Sequence, residues 1–143
     1  MRTIKFRAKD LDGVWYYGSL VHSILGAKIY FQTGNGSEKR MDWFFVTPDT
    51  IGQFTGLKDE NGKEIYEGDI VKWKADNRLY AVIFNWGMFY ASVEVCNQET
   101  YGGFPLHALA EKGIEIVGNI YDNPELKKKY KEIIEIKNPN NNE

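Results

Sequence analysis

Cysteine and histidine are nearly absent from this chain. Cys96 is the only cysteine, and His22 and His107 are the only histidines among 143 residues. A single cysteine cannot form an intrachain disulfide, so the fold does not require an oxidising compartment. The three residues are scattered singly, whereas a zinc site begins with a close pair of such ligands. We therefore expect no metal site, and we interpret Cys96 as a partly buried strand residue.

The chain also has little net charge and no long apolar run. The formal charge is only −2, so the chain has no long-range positive field that would gather nucleic acid or an anionic membrane. No segment approaches the roughly twenty apolar residues that cross a bilayer. The first six residues lack the apolar centre of a secretory signal. These absences favour a soluble, cytoplasmic protein without a membrane partner.

Motifs for phosphate and calcium binding fail on their spacing. Gly62-Lys63 continues with Glu64, and the earlier glycine that a P-loop requires is missing. Counting back from Gly62 to the first position of an EF-hand loop reaches Leu57, which has no carboxylate. No serine or cysteine lies in a motif that would activate it as a nucleophile. We therefore expect no cofactor, no catalytic residue and no enzymatic activity.

An acidic cluster between residues 59 and 69 is the remaining candidate for catalysis or magnesium binding. Its members are Asp59, Glu60, Glu64, Glu67 and Asp69. The aspartates suit turns, because their side chains can accept hydrogen bonds from nearby backbone N–H groups. The glutamates alternate with lysines, as on an ordinary solvated edge. The structural interpretation is favoured.

Alternation of polar and apolar residues is the dominant pattern. Ile4, Phe6 and Ala8 alternate with the basic residues at positions 5, 7 and 9, which predicts a half-buried strand that a turn at residues 10–13 joins to the next. Apolar residues make up 43% of the chain and aromatic residues 15%, enough for a core. The further strands are predicted at residues 14–21, 28–32, 41–46, 69–74, 79–84, 89–95 and 114–121. Strands at this spacing favour a small barrel or sandwich.

The C-terminal region carries a helix signal. Asn123 suits the N-cap, and Pro124 suits the first helical position. Leu126, Tyr130 and Ile133 then share one face, which predicts a docked helix at about residues 123–136. Residues 138–143 have nothing to bury and are predicted to be a disordered tail.

Three segments resemble the YopX-like proteins of bacteriophages and prophages. They are Ile4-Lys5-Phe6-Arg7-Ala8 with Trp15 and Tyr17-Gly18, Gln53 to Asp59 followed by Ile65 to Val71, and Val117 to Leu126. The resemblance implies one mainly β domain over residues 1–137, with N-terminal strands at about 1–56, a small SH3-like barrel element at about 57–121 and the C-terminal helix. It also implies a phage or prophage origin and a bacterial host cytoplasm, leaves self-association open, and supplies no activity.

The shared segments are rich in residues that favour turns and strand entries, so we interpret them as structural. This structural motif comprises Gly56, Asp59, Asn61, Gly62, Tyr66, Gly68, Asp69, Gly118, Asn119, Asn123 and Pro124.

A patch of aromatic and basic residues on neighbouring strands is the candidate binding site. Its members are Lys72, Trp73, Lys74, Arg78, Tyr80, Trp86, Phe89 and Tyr90. Exposed rings would anchor a protein partner, which is either a phage or host protein or a second copy of the chain. Beside basic groups they would instead stack on single-stranded nucleic acid, although the net negative charge counts against this alternative. A non-enzymatic protein-binding or assembly domain is therefore the favoured function.

Overall fold

The chain is mainly antiparallel β in a computed structural model, which describes residues 1–93, 103–123 and 125. It forms two compact units, Met1–Gly56 and a second that begins at Leu57. The strands are β1 (Phe6–Lys9), β2 (Trp15–Ser23), β3 (Gly26–Thr33), β4 (Arg40–Val46), β5 (Gly52–Lys58), β6 (Glu64–Tyr66), β7 (Asp69–Trp73), β8 (Leu79–Asn85), β9 (Met88–Val93), β10 (Gly103–Pro105) and β11 (Ile114–Asn119). One short helix, α1, spans Leu106–Ala110, and 3-10 turns lie at Gly36–Glu38 and Pro48–Thr50.

The first unit is built on an antiparallel sheet with the strand order β4-β3-β2-β1-β5. The predicted hairpin between β1 and β2 is confirmed, and Arg7 pairs with Tyr17 in its register. Its turn is closed by Asp10, whose Oδ1 accepts the backbone N–H groups of Asp12 and Val14, each at 2.9 Å. Gly13 has a φ of 81° there, which a side chain would disfavour.

The core of the first unit is small and is extended by stacked aromatic rings. Ala8, Ala27, Ile29 and Val46 are buried at its centre. On the same side of the sheet, the Tyr16 ring is stacked on the Phe31 and Phe44 rings, with centroid distances of 5.5 and 4.6 Å. Offset aromatic stacking supplies the packing that the small alanines leave unfilled.

The predicted alternation in β1 is wrong at two positions. Ile4 precedes the strand and is exposed, whereas Arg7, expected to face solvent, is only 5% exposed. The Arg7 guanidinium lies 4.6 Å from the centre of the Trp15 ring. A cation on an aromatic face keeps a favourable partner when water is removed, so an arginine can be buried on this side of the strand.

The second unit is built on a five-stranded antiparallel sheet with the order β10-β9-β8-β7-β11. Where β5 passes into this unit, β6 lies beside it, and the Asp59 N–H donates to the Lys63 carbonyl at 2.8 Å. The core lies on one face of the five-stranded sheet, beneath α1. Its buried members are Ile65, Val71, Tyr80, Val82, Ala91, Leu106, Leu109 and Ile114.

These observations confirm the mainly β fold class and each predicted strand, within the described residues. Strands β5, β6 and β10 and helix α1 were not predicted, because they are short or, in β5, carry glycine at both Gly52 and Gly56. In the described part of the chain, the five-stranded sheet is open, with β10 and β11 as its two ends. The predicted C-terminal helix and tail, Cys96 and Pro124 lie outside the described residues.

No helix within residues 1–93 and 103–123 is long and apolar enough to cross a bilayer.

Gly18 lies so close to β3 that a side chain there should destabilise the first unit. A Cβ atom at this position would lie 2.0 Å from the Tyr30 carbonyl oxygen, which belongs to the backbone and cannot move aside. We expect Gly18→Ala to lower the free energy of unfolding by about 1–3 kcal/mol, as overpacked cores do. Urea denaturation measures this, with exposed Ser19→Ala as the control. Equal stability of the two variants would contradict the strand pairing described here.

Candidate protein-binding surfaces

The eight residues of the predicted patch lie on or beside β7, β8 and β9, but they do not form one surface. In paired strands, directly opposite residues share a face and alternate residues change face. Trp73, Tyr80 and Phe89 lie on the core face of the sheet. Lys72 and Tyr90 lie on the opposite face. Binding at the set as a whole stays a prediction.

The aromatic residues on the core face have structural contacts. Tyr80 is only 2% exposed, and its hydroxyl donates to Asp76 Oδ2 at 2.5 Å. The Trp73 ring packs edge-on against the Tyr80 ring with a centroid distance of 6.3 Å. Phe89 packs against the same core. Stacking on a nucleobase requires an open ring face, which a buried tyrosine cannot offer.

The basic residues of the patch are dispersed and partly neutralised. Lys72 lies opposite Glu115 in the pairing of β7 with β11. The Nζ of Lys74 lies 2.5 Å from Glu60 Oε2, and this hydrogen bond and the charge of Glu60 raise the pKa of Lys74. Arg78 is exposed in the turn between β7 and β8. The described geometry does not gather these cations beside open rings.

The β8–β9 hairpin displays the remaining aromatic residue of the patch. We define the hairpin tip as residues 84–88, and its exposed apolar side chains are Phe84, Trp86 and Met88. Trp86 is 71% exposed, and its ring packs edge-to-face with the Tyr90 ring, at 5.3 Å between centroids. No charged residue occurs between positions 79 and 92. The tip is therefore an uncharged apolar projection.

The backbone at Trp86 is in a conformation that tryptophan disfavours. Trp86 has a φ of 50° and Gly87 a φ of 74°, the left-handed values that the central residues of a type I′ hairpin turn require. Asparagine and glycine suit these positions, whereas a bulky residue there costs about 1–2 kcal/mol. Asn85 Oδ1 accepts the Trp86 N–H at 3.0 Å, which helps to hold the turn. The turn conformation therefore favours asparagine over the exposed tryptophan that occupies it.

The first unit has a second exposed apolar surface that was not predicted. We define the β4 face by Lys28, Met41, Trp43 and Phe45, which lie on the side of the sheet opposite the core. Trp43 and Phe45 are 39% and 48% exposed. The Nζ of Lys28 lies 4.0 Å from the Trp43 ring centre and 4.9 Å from the Phe45 ring centre. The exposed parts of these two rings can contact a partner while Lys28 remains close to both ring faces.

A signal for the β4 face was present in the sequence. Met41, Trp43 and Phe45 alternate along a predicted strand, which places them on one side. Phe44 between them is also aromatic, so alternation alone could not show which side met the core. The answer depends on the register with β3, in which Phe44 lies opposite the buried Ile29.

Residues of the predicted structural motif hold turns and close contacts. Gly68 has a φ of 92°, and a Cβ atom there would lie 2.9 Å from the Tyr121 ring. A Cβ atom at Gly118 would lie 2.2 Å from Asn123 Oδ1, the atom that accepts the Asn119 N–H at 3.0 Å. Glycine is required where another group approaches the backbone this closely. Gly56 and Gly62 have φ values of 83° and 78°, and Tyr66 donates its N–H to Asp69 Oδ2 at 2.8 Å.

Asp59 of the acidic cluster has a structural role. Its carboxylate is buried, and Oδ1 accepts the N–H groups of Asn61 and Lys63, each at 2.9 Å. Oδ2 accepts the Ile116 N–H at 3.1 Å. Burial by itself would raise the pKa of Asp59, but these three hydrogen bonds and the charge of Lys63 lower it below its usual value. The carboxylate therefore ties the β5–β6 turn to β11.

Within the described residues, no three His, Cys, Asp or Glu side chains are grouped so that they could hold a metal ion. His22 and His107 are exposed there, on β2 and α1.

Known proteins resemble this chain in sequence pattern and in fold. The family model described as YopX protein matches residues 5–128. The crystal structure of protein EF1440 from Enterococcus faecalis is similar, with a TM-score of 0.57 and 24% sequence identity over 88% of this chain and 99% of that chain. At this identity the likeness concerns the fold alone. No curated protein matches the chain significantly.

Asp59 should make the stability of the protein depend on pH in the acidic range. Because its pKa is lower in the folded chain than the ordinary 3.8, its contribution is complete above that value and is lost as the pH falls through the folded pKa. We expect Asp59→Asn to cost about 1–3 kcal/mol at neutral pH, since the amide nitrogen cannot accept the hydrogen bonds that the carboxylate accepts.

Denaturant unfolding between neutral pH and about pH 3 measures this difference. The gap between the wild type and Asp59→Asn should narrow as the pH falls, while exposed Asp49→Asn should follow the wild type throughout. A gap that stays constant with pH would contradict the role of the charged carboxylate.

Trp86→Asn should stabilise the protein, although it removes a large side chain. Asparagine tolerates the left-handed conformation, and the ring contact that is lost is the edge-to-face packing with Tyr90. We expect the free energy of unfolding to rise by about 0.5–1 kcal/mol. Trp86→Phe, which keeps an aromatic residue in the same backbone conformation, is the matched control and should show no such gain. A less stable Trp86→Asn variant would show that the ring supports the fold.

Proposed function

Because this chain belongs to the YopX protein family, and because its β8–β9 hairpin displays an apolar tip, we propose that it is a non-enzymatic protein-binding or assembly domain. The match of the family model to residues 5–128 confirms the resemblance that the three sequence segments predicted. The single observation that carries the proposal is Trp86, which is 71% exposed and held at a φ of 50°.

A residue that is costly for the fold is expected where it serves another purpose. Strained backbone conformations concentrate at functional sites, and tryptophan is enriched among the side chains that dominate binding energy. Met88 lies on the same face of the hairpin as Tyr90, the ring that Trp86 contacts. Phe84 lies on the other face, against Phe89. Trp86 and the exposed Met88 give an apolar anchor whose burial in a partner would remove both side chains from water.

The chemistry of the tip selects the class of partner. Nucleic-acid binding draws most of its affinity from cations near phosphates, and residues 79–92 contain none. The alternative of single-stranded nucleic-acid binding would therefore need cations from elsewhere in the chain. An apolar cleft on another protein, phage or host, fits the uncharged tip better.

The setting of this function is proposed with it. We place the protein in the cytoplasm of a bacterial host of a phage or prophage, as the resemblance implies. We also propose that the second unit is an open form of an SH3-like barrel element. The strand order β10-β9-β8-β7-β11 supports this assignment, as does the position of α1 between β10 and β11 along the chain. In this arrangement the β8–β9 hairpin extends from the five-stranded sheet.

The proposed function predicts a partner that is retained through Trp86 and resists salt. Immobilised wild-type protein, Trp86→Phe and Trp86→Asn would be incubated with lysate of a phage-infected host, washed at low and high salt, and compared by mass spectrometry. We expect a protein that the wild type retains in high salt, that Trp86→Phe retains in part, and that Trp86→Asn loses about tenfold or more, as for a hot-spot residue.

The partner would then be purified and titrated against the same three proteins. Because Trp86→Asn is expected to be at least as stable as the wild type, loss of binding cannot be ascribed to unfolding. Identical retention by all three proteins would contradict a binding role of the hairpin tip.

A further inference from the structure

Strand β4 has an unpaired outer edge. It is the end strand of the first sheet, seven residues long. It contains no proline, and its pairing with β3 shows no register shift. Natural proteins usually protect such edges with proline, a bulge, a short strand or charged side chains, because an open edge pairs readily with another strand. β4 carries only the charges of Arg40 and Asp42, so a strand can add to it in a register that pairs these charges.

The outward N–H groups of β4 can be assigned from one hydrogen bond. Trp43 N–H donates to Asp42 Oδ1 at 2.8 Å, so it does not point toward β3. Alternate residues of a strand direct their N–H groups to the same side, which gives Met41 the same outward direction. The Asp42 carboxylate therefore occupies the place that a carbonyl of an incoming strand would take, and it must turn away from the Trp43 N–H when a strand is added.

The charges on β4 complement a second copy of the same strand. Arg40 and Asp42 are two residues apart, so they lie on the same face. If an antiparallel copy is centred on Met41, each Arg40 lies opposite the partner's Asp42, which gives two symmetric ion pairs. Opposite charges in cross-strand positions are stabilising, and like charges there are destabilising.

Other registers lose this complementarity. Centring on Asp42 places the two carboxylates against each other, and centring on Trp43 places Arg40 opposite the partner's Val46. The register centred on Met41 also brings Lys39 opposite the partner's Trp43, where a cation can lie on the exposed ring. The sequence of β4 thus favours one self-pairing over its neighbours.

We infer that β4 pairs antiparallel with β4 of a second copy of this chain, centred on Met41, and forms a symmetric dimer with two Arg40–Asp42 ion pairs. A two-fold contact of this kind is closed, so it stops at two chains. It also joins the exposed Met41 and Trp43 of both copies into one apolar surface. The inference goes beyond the hairpin tip, since it concerns a different surface in the first unit.

Charge reversal in single and double variants tests the register. Sedimentation equilibrium of the full chain would compare the wild type with Arg40→Asp, Asp42→Arg and the double variant that carries both changes. Each single variant places like charges at both symmetric positions, so we expect the dimer to weaken by about tenfold or more. The double variant restores both pairs with the charges exchanged, and we expect its dimer constant to return to near the wild-type value.

A proline variant tests the hydrogen bonding of the edge. Met41→Pro removes an outward N–H but no bond to β3, so it should abolish the dimer while circular dichroism still shows a folded protein. Trp86→Asn should leave the dimer unchanged, which separates failure of this inference from failure of the proposed function. A wild-type chain that is monomeric even at high concentration, or a double variant that does not regain the dimer, would overturn the inference.

Discussion

Each strand of a sheet has two faces, and only the side chains on a face that meets a core can be buried there. The β8–β9 hairpin of the second unit shows this constraint. Tyr80 and Phe89 fall on the core face, whereas Trp86 falls in the turn, where no core can receive it. Aromatic residues that are close together in the sequence therefore differ: some pack in the core and others are exposed to solvent. The proposed function depends on the displayed residue and not on the aromatic content of the region.

The displayed residues depend on a scaffold that polar contacts hold in place. Asp59 joins the β5–β6 turn to β11 through its buried carboxylate. Gly68 and Gly118 allow Tyr121 and Asn123 to approach the backbone closely. These residues belong to the segments that carry the family pattern, and their contacts are those of turns and close packing. The apolar surfaces lie elsewhere, on the β8–β9 hairpin and on β4.

Much of the fold could be predicted from alternation, but much of the candidate site could not. Period-two patterns located the strands, and Asp10 and Gly13 identified a real turn. Burial of Arg7 could not be predicted, because it depends on Trp15 arriving from the next strand. The β4 face was missed for a similar reason. Which side of a strand is covered, and which strand ends a sheet, are set by distant pairings that a single sequence pattern does not encode.

The central claim is that the displayed Trp86 contacts a protein and not a nucleobase. Its most direct test is a titration of the tryptophan fluorescence of the wild type and of Trp86→Phe with single-stranded DNA and RNA at low and moderate salt. We expect no quenching that depends on Trp86 at either salt concentration, because the hairpin tip has no cation to hold phosphate. Quenching at low salt that weakens steeply with added salt, and that disappears when Trp86 is replaced, would contradict it.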